Sequence, residues 1–153
     1  MQLHSLTYMS TAKHVPNADE FDRLITKAQT RNEMEGVTGA LIYSEGSFIQ
    51  CIEGDKAAVL RIYEFIKADP LHHHIMELLS EPIEAREFPQ WSMTLRTTGA
   101  SFKANLSSDL LHQKLMVVPD AASPARHLLS SFWNGGFGTG YNGNAAAAVE
   151  KPP

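Results

Sequence analysis

The first half of the chain alternates between short apolar runs and longer stretches with helical periodicity. Residues 40–43 are continuously apolar, which is typical of a strand that is covered on both faces. Between residues 21 and 28, apolar side chains recur at intervals of three and four, which places them on one helical face. The patterns predict strand, helix, strand, strand, helix, strand, strand, over residues 3–10, 17–31, the hairpin 39–54, 55–68, 73–81 and 91–95. This order predicts an α+β, ferredoxin-like fold with two helices on one face of a mixed sheet.

The predicted hairpin contains a polar residue in an apolar setting. A tight turn at Glu45-Gly46 joins its two strands. Because side chains alternate along a strand, Phe48, Gln50 and Ile52 share one face, and we expect Gln50 to be buried. A buried amide without hydrogen-bond partners costs about 1–3 kcal/mol. Two interpretations stay open: Gln50 bonds to neighbouring backbone, or it meets a ligand.

A second amide, Asn32, extends the apolar face of the first helix. It lies four residues beyond Ala28, which is about one helical turn. Asn17 or Asp19 caps this helix, and we expect the helix to end at about Arg31. Asn32 is then either an ordinary helix C-terminal Asn or a second side chain that meets a ligand.

The pattern changes in the last third of the chain. Residues 106–116 and 124–133 are helical candidates with serines as caps, and we expect them to cover the sheet face that the first two helices leave open. Asp55 is the predicted cap of the helix at 55–68. The final residues are rich in Gly, Asn and Ala, with too little apolar content to order themselves. We predict a first domain over 1–98, a helical extension over 99–134 and a flexible tail over 135–153.

Composition narrows the class of protein. At 153 residues, 43% hydrophobic and 20% charged, the chain is an ordinary single globular domain. Its one cysteine, Cys51, allows no internal disulfide, and no apolar run is long enough to span a membrane. The net charge of −4 gives no electrostatic basis for binding nucleic acid or an anionic membrane. We therefore expect a soluble, cytoplasmic protein.

Six short motifs recur in order over about the first 96 residues, and together they resemble those of the BLUF family, blue-light sensors that use FAD. The motifs are Tyr8-Met9-Ser10, Asn32, Gly36-Val37-Thr38-Gly39, Gly46-Ser47-Phe48-Ile49-Gln50-Cys51-Ile52-Glu53-Gly54, Asp69-Pro70-Leu71-His72 and Phe88-Pro89-Gln90-Trp91-Ser92-Met93. A dipeptide such as Thr-Gly is weak by itself, but the spaced set is specific.

The resemblance implies non-covalent FAD, or FMN or riboflavin in its place, held between the two helices. It implies these cofactor-binding residues: Leu24, Ile25, Arg31, Asn32, Phe48, Gln50, Ile66, Asp69 and His72. Leu24 or Ile25 sandwiches the flavin ring with Ile66. One departure stands out, because the family usually has Arg at the position of Leu71; Arg31 or His72 partly replaces that cation.

The resemblance also implies a photochemical role for four residues. Tyr8 donates an electron to the excited flavin, and its proton moves toward the flavin through Gln50. The Gln50 amide is left rotated or tautomerised, which gives a red-shifted state that decays in the dark. An amide suits this role because it is a donor at one end and an acceptor at the other. Trp91 or Met93 closes the site from the last strand of the sheet.

Three other functions compete with this interpretation. A flavin-dependent redox enzyme would use a nicotinamide cofactor, but the sequence contains no Gly-x-Gly-x-x-Gly. An acylphosphatase-like hydrolase requires an Arg in the loop after the first strand, where this chain has Lys13 and no Arg. A metal site at His72-His73-His74 is disfavoured because adjacent side chains on an extended segment point to alternate sides. We predict neither an enzyme nor a metal protein.

The C-terminal helices are the predicted output. Residues 106–133 carry more apolar surface than two isolated helices expose without binding something. We expect part of it to cover the sheet and the rest to serve in homo-oligomerisation or in binding a separate signalling protein. The alternative is that these helices only cap the core.

Overall fold

The computed structural model of the protein describes residues 2–90, the backbone of 92–96, and residues 113–134. Its strands are β1 (Leu3–Ala12), β2 (Thr38–Ser44), β3 (Ser47–Asp55), β4 (His72–Pro82) and β5 (Ser92–Arg96). Its helices are α1 (Ala18–Met34), α2 (Lys56–Ala68) and α3 (Pro124–Trp133), and residues 113–116 form a further helical turn.

The five strands form one mixed sheet in the order β4-β1-β3-β2-β5. The pairs among the first four strands are antiparallel, and β5 lies parallel to β2 at the edge. Strands β1 to β4 with α1 and α2 have the ferredoxin-like order, so the predicted fold class is confirmed. The turn between β2 and β3 falls at Glu45 and Gly46, whose φ angles of 45° and 94° suit a two-residue hairpin.

Helix α1 begins where predicted but ends later. Asn17 is its cap: its side chain accepts from the Glu20 amide at 2.9 Å, and the Glu20 carboxylate accepts from the Asn17 amide at 2.9 Å. The predicted end at Arg31 is wrong, because the helix continues to Met34. Gly36, with φ of 69°, supplies the left-handed conformation that stops it. Asn32 is therefore inside the last turn.

Four smaller expectations also need correction. β1 runs to Ala12 instead of residue 10, β4 begins at His72, and β5 is shifted by one residue to start at Ser92. Asp55 stands at the N-cap position of α2, but its side chain makes no capping hydrogen bond. The reason is that Asp55 is still the last residue of β3, paired with Leu3 of β1.

The two faces of the sheet carry separate apolar clusters. Helices α1 and α2 cover one face, where they bury residues such as Leu6, Tyr43 and Ile52. Leu115, Ala125, Leu129 and Phe132 cover the other face, against Ala40, Ile42, Ile49 and Cys51. The prediction that the C-terminal segment covers the open face is confirmed for α3 and the helical turn. Most of the predicted helix 106–116, and the predicted tail 135–153, lie outside the described residues.

A group of polar contacts, here called the loop junction, joins the end of β3 to the segment that precedes β5. The buried Glu53 carboxylate accepts from the backbone N–H of Glu87 at 3.0 Å and of Phe88 at 2.8 Å. Arg86 donates to the Glu53 carbonyl at 2.9 Å and to the Thr38 hydroxyl at 2.7 Å. Burial raises the pKa of the Glu53 carboxyl, against the effect of the two N–H donors.

The loop junction continues through Glu87 to the C-terminal segment. The Glu87 carboxylate accepts from the Ser123 hydroxyl at 2.7 Å and lies 3.0 Å from the Lys114 ammonium. A guanidinium nitrogen of Arg126, in the first turn of α3, lies 3.7 Å away. Burial raises the pKa of the Glu87 carboxyl, but the contacts with Ser123 and Lys114 outweigh it and hold this pKa below its usual value. The loop before β5 is therefore attached to β3 on one side and to the C-terminal segment on the other.

Candidate functional site

A cavity, here called the interhelix cavity, opens between α1 and α2 above the sheet. Its walls come from β1, β2, β3, the start of β4, both helices and the connection after α2. They are formed by Tyr8, Leu24, Lys27, Ala28, Arg31, Leu41, Phe48, Gln50, Ile66, Asp69, Leu71 and His72. Aliphatic and aromatic groups make up much of this wall, with a few polar groups at defined places, as in small-molecule sites.

Tyr8 and Gln50 form the polar centre of this wall. They are direct partners in the β1–β3 ladder, and each is at most 3% exposed. The Tyr8 hydroxyl donates to Gln50 Oε1 at 2.5 Å. Gln50 is therefore bonded to a side chain across the strands through its carbonyl oxygen, and its amide is oriented by that bond. Burial raises the pKa of the Tyr8 phenol, with a smaller opposing effect from Arg31, so Tyr8 is neutral at physiological pH.

Asn32 is completely buried in the last turn of α1, yet neither Oδ1 nor Nδ2 has a hydrogen-bond partner. It lies on the same buried stripe as Phe21 and Ala28 and is not itself a wall of the interhelix cavity. Leaving a buried polar group unmatched costs about 1–3 kcal/mol. A ligand that offers both a donor and an acceptor would satisfy the carboxamide, as the pyrimidine edge of a flavin does.

The outer end of the cavity carries charged side chains of both signs. Arg31 and Lys27 lie one turn apart on α1, and both line it. Arg31 Nε is buried without a partner, and burial lowers the pKa of this guanidinium. Asp69, on the facing side, accepts from the Leu71 amide at 2.9 Å. This end would suit a ligand with a polar, anionic extension.

His72 lies at the base of the cavity and its ring has two defined partners. Nε2 lies 2.7 Å from the Ile66 carbonyl, and a carbonyl only accepts, so Nε2 carries the proton. In the neutral ring Nδ1 is then an acceptor, and the Ser10 hydroxyl donates to it at 2.7 Å. These two hydrogen bonds connect Ser10 on β1, His72 on β4 and Ile66 near the end of α2.

The predicted cofactor residues are mostly brought together. Phe48, Asp69 and His72 line the cavity, as do Leu24 and Ile66, while Ile25 packs against the apolar cluster beneath. Of the photochemical residues, Met93 is described only as part of the β5 backbone, paired with Leu41 of β2, and Trp91 lies outside the described residues. Leu71, at the position of the family Arg, is itself part of the wall.

Sequence reasoning missed three wall residues and the loop junction. Leu41 faces the cavity because it is the β2 partner of Gln50, and the hairpin register was the signal that could have found it. Lys27 precedes Arg31 by four positions, a spacing that puts two cations on one helical face. Ala28 was placed on the buried stripe but was not connected with the site. Glu53 could have been found as an acid within the predicted hairpin strand, directly after Ile52.

Within the described ranges, no group of three His, Cys, Asp or Glu side chains is arranged to hold a metal ion. His73 and His74 contact each other with ring centroids 4.2 Å apart. The described helices also include none with the length and apolar character needed to cross a membrane.

The structure thus combines a ferredoxin-like sheet with a mostly apolar cavity between its two helices, and the buried Tyr8–Gln50 pair lies in the wall of that cavity. A family model described as "BLUF: Sensors of blue-light using FAD" matches residues 3–94. The chain therefore belongs to the BLUF family, and the resemblance found from the six motifs is confirmed.

Related proteins include a photoactivated adenylate cyclase subunit beta from Euglena longa, 33% identical over 96 residues. A blue light- and temperature-regulated antirepressor, BluF from Escherichia coli (strain K12), is 33% identical over 93 residues. These matches include 62% and 61% of this chain but only 11% and 23% of the two relatives. The chain thus corresponds to a small part of each relative. The match does not assign the activity of either complete relative to this chain.

Solved structures agree with the fold. The dark-state structure of BlrB, a BLUF protein, superposes with a TM-score of 0.62 at 28% identity, covering 86% of this chain and 97% of BlrB. The BLUF structure of BlrP1 gives a TM-score of 0.67 at 25% identity, covering 89% of this chain and 93% of that one.

Proposed function

We propose that this protein is a blue-light photoreceptor that binds FAD non-covalently in the interhelix cavity and signals through the Tyr8–Gln50 pair. The observation that carries the proposal is the buried 2.5 Å hydrogen bond from Tyr8 to Gln50 in the cavity wall. It places a neutral phenol and a reversible donor–acceptor group together, as light-driven proton movement requires.

The residues present fit a flavin. Leu24 and Ile66 supply apolar contact from the two helices, and the unpartnered Asn32 carboxamide supplies one donor and one acceptor. Arg31 and Asp69 stand at the outer end, where the ribityl chain would leave the ring. The loss of a cation at Leu71 is partly offset by Arg31 and Lys27, which line the same cavity.

When bound, the flavin supplies a blue-absorbing chromophore that becomes a strong oxidant on excitation. Tyr8 is positioned to give up an electron together with the proton that it already donates to Gln50 Oε1, and the return of both restores the neutral phenol. Rotation of the Gln50 side chain would exchange the positions of its oxygen and its NH₂ group, and tautomerisation would instead move a proton from the nitrogen to the oxygen. Either change alters which of its atoms donate and which accept hydrogen bonds. Because no bond to carbon forms or breaks, the chain returns to its starting arrangement in the dark. Trp91 or Met93 is the proposed neighbour of Gln50 from the β5 segment.

The test is absorbance spectroscopy before and after blue light. We expect a yellow protein with a red shift that reverses in the dark, and Tyr8→Phe and Gln50→Leu to lose the shift while retaining flavin. Tyr63→Phe is the matched control, since this buried ring lies 5.8 Å from Tyr8 but donates nothing to Gln50. A colourless protein that takes up none of FAD, FMN and riboflavin would remove the proposal. Rapid flavin reduction by NADH or NADPH without air would favour a redox enzyme instead.

We propose that the C-terminal segment carries the signal to a second copy or to a separate protein. Leu115, Leu129 and Phe132 are buried against the sheet, so this side of the segment acts as a cap. Met116 and Val117 are exposed beside it, at 54% and 71%, and are the candidate contact. Size-exclusion runs in darkness and under blue light, with wild type and Met116→Ser/Val117→Ser, would test it. An elution volume or partner affinity that never depends on light would count against an output here.

A further inference from the structure

Ser10 is buried on the same face of β1 as Tyr8, two residues farther along the strand. In the ladder between β1 and β3, Tyr8 pairs with Gln50 and Ser10 pairs with Phe48, so the two pairs are neighbours on the face toward the interhelix cavity. The Ser10 hydroxyl does not contact Gln50 but donates to Nδ1 of His72 at 2.7 Å. A buried polar group therefore lies beside the photochemical pair and is directed to a third side chain.

The imidazole of His72 is held at both of its nitrogens. Nδ1 accepts from Ser10, and Nε2 donates to the Ile66 carbonyl, each at 2.7 Å. The ring cannot turn without losing these two hydrogen bonds, so its orientation is fixed from β1 and from α2 together. The Ile66 carbonyl also accepts from the Asp69 amide at 3.1 Å, so the atom that holds His72 belongs to the hydrogen-bonded end of α2.

The fixed imidazole contacts two aromatic rings of the cavity wall. Its centroid lies 6.2 Å from that of Tyr8 with an interplanar angle of 68°, and 6.0 Å from that of Phe48 with an angle of 85°. Edge contacts of this kind are a favourable arrangement of aromatic rings. The hydroxyl of Tyr8 is thus held by Gln50, while its ring is supported by His72. Without the Ser10 hydroxyl, the imidazole keeps only one of its two anchors.

We propose that Ser10 is a positioning residue for the photochemical step, an inference that rests on the function proposed above. Through His72 it fixes the Tyr8 ring and the Ile66 part of the cavity wall relative to each other. Electron transfer from Tyr8 competes with ordinary decay of the excited flavin, so the yield of the red-shifted state depends on how precisely Tyr8 is held. Ser10 touches neither Gln50 nor the flavin and acts only through His72.

The critical variant is Ser10→Ala, with Ser5→Ala as the matched control. Ser5 is also a buried serine of β1, but it lies on the opposite face, where its hydroxyl is 3.5 Å from the Cys51 sulfur. Both variants and the wild type are saturated with FAD and exposed to calibrated blue light. The initial rate of red-shift formation and the flavin fluorescence are then measured.

We expect Ser10→Ala to form the red-shifted state about fivefold more slowly, the factor that corresponds to losing one neutral hydrogen bond. Its flavin should also fluoresce more strongly, because Tyr8 quenches less of the excited state. Ser5→Ala should match the wild type in both measurements, although it too loses a buried hydroxyl.

A double-mutant cycle tests whether Ser10 acts through His72. His72→Leu removes both hydrogen bonds of the imidazole, so adding Ser10→Ala should not slow red-shift formation further. Independent effects of the two substitutions would contradict the proposed route. Ser10→Cys keeps the shape of the side chain with a weaker donor and should give a rate between those of wild type and Ser10→Ala. It carries the test if Ser10→Ala holds too little flavin to measure.

The outcomes separate the role of Ser10 from the photoreceptor itself. A wild type that binds no flavin, or shows no red shift, removes both proposals. A wild-type rate in Ser10→Ala, or in Ser10→Cys if only that variant holds flavin, overturns the role of Ser10 and leaves the photoreceptor standing. Equal slowing by Ser10→Ala and Ser5→Ala would also overturn it, because the effect would then come from a general loss of packing.

Discussion

The interhelix cavity and the loop junction are both built from polar groups enclosed by apolar residues, but they treat those groups in opposite ways. At the loop junction, the carboxylates of Glu53 and Glu87 each accept from at least two donors. Near the cavity, Asn32 is fully buried with both polar atoms unmatched, and Arg31 Nε is buried alone. A saturated polar cluster holds elements together, while an unsaturated one is poised for something that arrives later. On the function proposed above, the unmatched groups near the cavity are the ones that the flavin would satisfy.

The largest effect should come from breaking the saturated cluster. Glu53→Ala removes the acceptor of two backbone N–H groups, and we expect it to lower the free energy of unfolding by about 2–4 kcal/mol. Glu53→Gln keeps one acceptor and should cost less. Urea unfolding of the apoproteins measures both. Equal stability of wild type and Glu53→Ala would show that the loop junction is not a structural fastening.

The unsaturated site should behave in the opposite way. Asn32→Leu replaces an unmatched buried carboxamide by an apolar group of similar size, so we expect the apoprotein to gain about 1 kcal/mol of stability. If Asn32 holds the flavin as proposed, the same substitution should weaken flavin binding about tenfold or more, because the ring would lose a donor and an acceptor. Urea unfolding and flavin titration of the same preparation give the two values. A variant that loses stability and keeps its affinity would show that Asn32 is structural.

Changing the pH should alter the stabilising contributions of Glu53 and Glu87 in opposite directions. The Glu87 pKa lies below its usual value, so its stabilising contribution is present at neutral pH and is lost as the pH falls through that lowered pKa. The Glu53 pKa lies above the usual 4.5, so its contribution is present below 4.5 and is lost as the pH rises through the raised pKa. The stability difference between wild type and Glu87→Gln should therefore shrink on acidification. Glu53→Gln should instead improve relative to wild type as the pH rises from about 4 to 7. The measurement is the urea midpoint of each protein as a function of pH. Parallel curves for wild type and both variants would contradict the two pKa shifts.

The smallest expected effect concerns a satisfied group of hydrogen bonds beside the cavity, which can be compared with the unsatisfied Asn32. Ser10, His72 and the Ile66 carbonyl form a saturated chain of hydrogen bonds beside the cavity, so they should behave like the loop junction. Ser10→Ala removes one donor, and we expect a loss of about 1 kcal/mol in the free energy of unfolding. Thr11→Ala, at an exposed neighbouring position of β1, is the control. Nitrogen chemical shifts of the His72 ring would show whether its Nε2 proton stays in place.

The sequence predicted what depends on local pattern. The burial of Gln50 followed from alternation along β3, and the tight turn between β2 and β3 followed from Glu45-Gly46. What depends on pairing between distant segments was not predicted: Glu53 meets Glu87 and Phe88 only because the loop before β5 returns to β3. The end of α1 was misplaced because Asn32 was read as a stop signal, whereas Gly36 supplies the conformation that ends the helix.

The parallel pairing of β5 with β2 has a consequence for the order in which the molecule assembles. Ala40 of β2 pairs with Ser92 of β5, although β3, α2 and β4 lie between these two strands in the sequence. By contrast, only a two-residue turn separates β2 from its other partner, β3. Closing the long connection loses more chain entropy before any contact repays it, so β5 should dock after the hairpin has formed. A chain emerging from the ribosome would complete the four strands around the interhelix cavity first. Flavin capture could then begin while the C-terminal segment is still being synthesised.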